Sequence, residues 1–155
     1  MGTVPPRILA SANDPEQVAD VISLACSLAG DDRHAEVHVL HVVLIPRALP
    51  LDADMKEEVA FGESLLAKAE EVAEERFGRR IQTDLLQSLA VGPAILEEIN
   101  ERGIDVVVLG YRRQRAFREG VWDATVDYVV QHAPCRVVIN VPLEPAGGGR
   151  ARVTA

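Results

Sequence analysis

Four arginines, Arg112, Arg113, Arg115 and Arg118, crowd one short stretch of an otherwise acidic chain. A guanidinium presents its N–H groups as a planar fork that meets two phosphate oxygens at once, so this stretch has the donors to hold an anionic ligand by side chains. A solvated basic loop that pairs with the chain's own carboxylates is the other reading of the same residues. Just downstream, Asp123 stands where a helix opens, with a carboxylate able to accept the free N–H groups there. Upstream, Ser11, Ala12 and Asn13 follow the first apolar run, and Asn13 brings an amide that both donates and accepts.

Other chemistry is sparse. His38 and His41 lie three apart in a run that reads as a strand, so they point to opposite faces and cannot chelate one metal together. Both are expected to be satisfied interior or edge residues. His132 falls at a helix end, where an imidazole interacts with the helix dipole. Cys26 and Cys135 form no Cys-x-x-Cys pair and read as small apolar packing residues, so no metal site is expected. No Ser or Cys has a recognisable activating His and carboxylate, and no P-loop or dinucleotide fingerprint occurs, so no catalytic residue is assigned and an enzyme is not expected.

The elements that position these residues alternate regularly. Ile8-Leu9-Ala10 reads as a strand, with Asp14 and Pro15 opening a helix whose stripe is Val18, Val21, Ile22, Ala25 and Leu28 and whose end is Gly30. Residues 37–43 are too apolar for a one-sided strand and belong in the middle of a sheet covered on both faces. Pro46 and Pro50 keep the next connection irregular. A long amphipathic helix follows over 54–77, with Met55, Val59, Leu66, Ala69, Ala73 and Phe77 inside and a glutamate-rich face outside. That face reads as a solubilising surface, or as a site for a basic partner.

Residues 81–89 read as the third strand. Gly92 and Pro93 open a short helix with Ile95 and Ile99 inside, and Gly103 closes it. Residues 104–110 form the clearest buried strand. Trp122, Val126, Val129, Val130 and Ala133 then describe one face of a last helix, stopped by Pro134, before a fifth strand over 136–141. The pattern βαβαβαβαβ implies a parallel sheet with helices on both faces. In such folds ligands bind beyond the carboxyl ends of the strands, where the strand order reverses, so the loops after Ala12, Val43 and Gly110 are the places of interest.

The bulk properties bound the partners. The chain has 155 residues, 48% apolar and 26% charged, which suits one globular domain over 1–142, with a Pro- and Gly-rich stretch, 143–155, expected to be a disordered tail. A net charge of −8 and a pI near 5.0 argue against nucleic acid or anionic membrane as partners. With no apolar run long enough to insert in a membrane and no apolar leader, a cytoplasmic location is expected.

From Arg7 to Val141 the chain resembles the universal stress protein family. The likeness rests on residues 104–110 followed by 129–138, which include His132-Ala133-Pro134-Cys135, and on Leu40-His41-Val42-Val43 and Gly92-Pro93. Residues 46–52 and 125–129 further resemble the stress-protein-like domain that follows the membrane spans of some amino-acid permease-type transporters. The resemblance implies a flavodoxin-like, open five-stranded sheet of order 3-2-1-4-5. It also implies a homodimer through Val137, Val138, Ile139 and Val141, which would be an association hazard on a bare sheet edge.

The resemblance implies a ligand site, degenerate here, at Ser11, Ala12, Asn13, Val42, Leu109, Gly110, Asp123, Ala124 and Thr125, to which the reading of the arginine-rich loop adds Arg112, Arg113 and Arg115. Nucleotide-binding members carry Gly-x-x-Gly, a spacer, then Gly-Ser or Gly-Thr, a pattern that lets backbone N–H groups approach phosphate. Here only Gly110 survives, with Arg113 at the second glycine and Asp123-Ala124 at the final pair. Asp123 places a carboxylate where a phosphate would sit; like charges ~4 Å apart cost about 4 kcal/mol at an effective dielectric of about 20. Asn13 replaces the Asp usual in the family, a mild change taken alone. The expectation is a non-catalytic stress-response regulator that acts through protein contacts, with weak or absent ATP binding. The alternative is a sensor of ATP, AMP or a cyclic dinucleotide that uses the arginine-rich loop.

Overall fold

A computed structural model describes residues 4–111 and 123–142. Nine elements follow one another: β1 (Arg7–Ser11), α1 (Val18–Ala29), β2 (Glu36–Leu44), α2 (Lys56–Phe77), β3 (Gln82–Ser88), α3 (Val91–Arg102), β4 (Val106–Gly110), α4 (Ala124–His132) and β5 (Arg136–Asn140). All strand pairs are parallel and the order is β3-β2-β1-β4-β5, as the resemblance implied.

The topology follows from the hand of the crossovers. A right-handed βαβ connection puts the helix on one face while the chain steps in one direction, and on the other face once the direction reverses. The chain steps outward from β1 to β3, then returns to β4 beside β1. One core therefore joins α1 and α2 through Val18, Ile22, Leu65 and Ala69 to Ile8 and Val39. The opposite core joins α3 and α4 through Ile95, Ile99, Val126 and Val129 to Leu9, Leu40 and Val107. Fully buried side chains such as Ile8, Leu9 and Ile95 each contribute about 1.5–3 kcal/mol of transfer free energy. Between β1 and β4 the order reverses and a crevice opens at their carboxyl ends.

Several sequence expectations shift by a turn. Asp14 does not cap α1: its Oδ1 accepts from Glu16 N at 3.0 Å and closes a tight turn, while the helix starts at Val18 after Gln17. The inner stripe of α1 runs to Cys26 and Ala29, leaving Leu28 exposed; Phe77 and Val130 also face solvent. In α2 the buried stripe is Gly62, Leu65, Leu66, Ala69, Val72 and Ala73, with Met55 and Val59 only half-buried. Leu28 lies beside Ala29 and Val130 beside Val129, both of which are buried, so the exposed pair sit at the margin of the buried stripe and face away from the sheet. Gly30 and Gly103 do end α1 and α3, each at a positive φ of 64° and 62°.

No helix among the described residues is long and apolar enough to cross a membrane. Arg112, Arg113, Arg115, Arg118, Trp122 and the stretch 143–155 lie outside the described residues.

At the amino end of the sheet, charged groups match one another. Arg102 donates to Glu98 and to Asp84, each at 2.7 Å, and Arg7 N donates to Asp105 Oδ2 at 2.9 Å. His38, on the α3 side, meets Glu36 Oε1 at 2.9 Å, but its Nδ1 is buried without a partner, so the expectation of a satisfied interior histidine holds for one nitrogen only.

Candidate functional site

Ser11, Asn13, Leu109, Gly110, Asp123, Ala124 and Thr125 converge on one cavity of about 460 Å3 at the carboxyl ends of β1 and β4. This is the strand-reversal crevice, and α4 points its N-terminus toward it. Ala12 sits behind the wall, buried at 1% exposure. Val42 belongs to a neighbouring cavity and reaches this region through its backbone. Asp14, Pro15, Gln17, Val21 and Val91 complete the lining and were not anticipated.

Three of these side chains occupy positions suited to a ligand. Asn13 Nδ2 donates to Val42 O at 3.0 Å, and its Oδ1 accepts from Val42 N at 3.2 Å. A carboxylate could only accept, so Asn in place of Asp is what satisfies both backbone groups of Val42. The exchange has more consequence in this geometry than the residue types alone suggest.

Asp123 adopts an extended backbone, and its Oδ1 accepts from Val126 N at 2.8 Å, capping α4 as expected. The partial positive charge of the helix start thus already faces a fixed carboxylate.

The third is Gln17, 2% exposed. Its Nε2 donates to Asp14 Oδ2 at 3.1 Å, and its Oε1 accepts from Asn140 Nδ2 at 3.0 Å. A methyl group on Gly110 would lie 2.8 Å from Gln17 Oε1. Gly110 has no positive φ, so what it provides here is room for Gln17 rather than a special backbone turn. The sequence held one signal for Gln17: a polar residue four before Val21, in phase with the buried stripe of α1.

Neither thiol is activated. Burial pushes both thiols, Cys26 and Cys135, above their ordinary range, which disfavours the reactive thiolate. His132 closes α4 with Nδ1 2.9 Å from Tyr128 O and stacks on the Tyr128 ring, a helix-end role in line with its position. His38 and His41 lie on opposite faces of β2, and no group of metal-ligating side chains forms among the described residues.

Comparison with known proteins places this geometry. Among solved structures, the universal stress protein from Archaeoglobus fulgidus superposes with a TM-score of 0.69 at 17% identity, covering 88% of this chain and 98% of its own. The universal stress protein from the same organism in complex with dAMP gives 0.64 at 18%, covering 88% and 97%. An Arabidopsis thaliana universal stress protein family protein with AMP bound gives 0.58 at 14%, covering 95% and 97%. At these identities the likeness speaks to the fold. No curated protein matches the sequence. The model of the universal stress protein family matches residues 6–142, nearly all of the described chain, and on that match the chain belongs to this family.

Proposed function

We propose that this chain is a non-catalytic regulatory protein that works through protein contacts as a homodimer, and that its strand-reversal cavity does not accept a nucleoside triphosphate. The observation that carries the reading is the Asp123 cap. A helix N-terminus attracts phosphate because its N–H groups are unpaired and its dipole is positive. Here Val126 N is already paired, and an arriving polyphosphate meets a carboxylate. Asn13 on Val42 and Gln17 against Gly110 support the same reading.

Dimerisation rests on β5, an edge strand whose Val137, Val138 and Ile139 are half-buried, with Val141 exposed just beyond it. Sedimentation equilibrium yielding only monomer would remove that part. Calorimetry tests the site: ATP at submillimolar concentration should give no saturable heat, and a micromolar affinity would overturn the reading.

A second reading is favoured by the cavity's size, within the roughly 300–1,000 Å3 of small-molecule sites, and by relatives solved with dAMP and AMP. A monophosphate brings less charge toward Asp123 than ATP does. This reading expects AMP or a cyclic dinucleotide to bind with help from Arg112, Arg113 and Arg115. Replacing those three by Ala with no change in affinity would dispose of the arginine contribution.

A further inference from the structure

A second cavity, of about 380 Å3, lies where β2 ends and α2 begins, with His41, Phe61, Leu44, Glu57 and Glu58 in its lining. His41 is 5% exposed, and its Nδ1 lies 2.8 Å from Ala12 O. A carbonyl oxygen can only accept, so Nδ1 carries the proton of the neutral ring and Nε2 carries the lone pair. That nitrogen has no hydrogen-bond partner among the described residues, and it is not among the fully enclosed polar atoms.

The ring is held in place from two sides. Phe61 meets it edge to face with centroids 6.2 Å apart, and a methyl group on Gly62 would collide with Cδ2 and come within 2.8 Å of Nε2. Glu57 and Glu58 are exposed at the first turn of α2 and form no ion pair among the described residues, whereas nearby Lys56 faces Asp54 at 3.9 Å. Phe61 and Leu44 are exposed by about half, 48% and 52%.

We propose that this cavity binds a small organic cation that carries N–H donors, an alkylamine or a guanidine. One N–H is accepted by His41 Nε2, the charge is balanced by Glu57 and Glu58, and the alkyl stem lies on Phe61 and Leu44. Aromatic surface adds to the attraction, since a cation within about 6 Å of a ring centroid is drawn to its face. The two carboxylates repel phosphate, so this site selects a cation over an anion. The proposal stands whether or not that cavity binds nucleotide.

The test uses the whole chain, with imidazole 15N resonances and calorimetry as readouts. Butane-1,4-diamine and agmatine are the probes, and tetramethylammonium is the control that has charge but no N–H donor. Saturable movement of the His41 Nε2 resonance with either probe is expected. The affinity should fall about tenfold or more in the surface variant Glu57→Gln/Glu58→Gln. Tetramethylammonium should leave the resonance in place. No saturable change at millimolar probe, equal affinity in the double variant, or an equal response to tetramethylammonium would each overturn the proposal.

Discussion

The two ends of the sheet treat polar side chains differently. At the amino end, charge is matched to charge: Arg102 spans Glu98 and Asp84, and Glu36 meets His38. At the carboxyl end, Asn13 and Asp123 are spent on the chain's own backbone and Gln17 on neighbouring side chains, yet a cavity of about 460 Å3 remains beside them. Buried polar groups need partners wherever they lie. What differs is the partner: at the amino end charged side chains hold one another, while at the carboxyl end polar side chains pair beside a cavity.

The largest expected effect tests the amino end. Glu98 is 6% exposed, and Arg102 is its hydrogen-bond partner. Arg102→Met should cost about 2 kcal/mol in urea denaturation by leaving that carboxylate unpaired. Adding Glu98→Met should recover most of the loss. Failure to recover would mean that Arg102 contributes by packing, not by matching charge.

At the carboxyl end a smaller change separates cap from charge. Asn caps a helix about as well as Asp, so Asp123→Asn should alter stability by only a few tenths of a kcal/mol, against about 1 kcal/mol for Asp123→Ala. If the carboxylate excludes polyphosphate, Asp123→Asn should bind ATP measurably in calorimetry where the unaltered chain does not. Equal silence from both would mean that the Asp123 carboxylate is not what excludes ATP.

The smallest effect concerns pH. The hydrogen bond with His38, with Arg7 nearby, holds the Glu36 carboxyl below its ordinary value of 4.5. A depressed pKa means stability that is present above 4.5 and lost as pH falls through the folded-state value. Glu36→Gln should flatten that part of the stability profile. The effect is modest because Glu36 is partly exposed and water screens it. An unchanged acid limb would assign the acid sensitivity to other carboxylates.

Alternation of apolar strands with amphipathic segments made the α/β class legible, and residues 104–110 and 129–138 made the family legible. Helix phases were less so: Leu28, Phe77 and Val130 share the period of buried neighbours yet are exposed, and periodicity does not record how wide a stripe the sheet covers. For the site, Asp123 was legible as a cap because capping is local. Gln17 was not, since its partners Asp14 and Asn140 include one 123 positions away.

The sequence by itself determined the parallel layered architecture, the loss of the glycine pattern after Gly110 and the acidic surface, because each rests on residue type and short spacing. Only the tertiary structure decided that Asn13 closes on Val42, that Gln17 lies against Gly110, and that His41 joins Glu57, Glu58 and Phe61 in the lining of a second cavity. Each of those contacts joins side chains to groups brought near by strand pairing and helix packing, and the direction of a hydrogen bond is set only once both partners are in place.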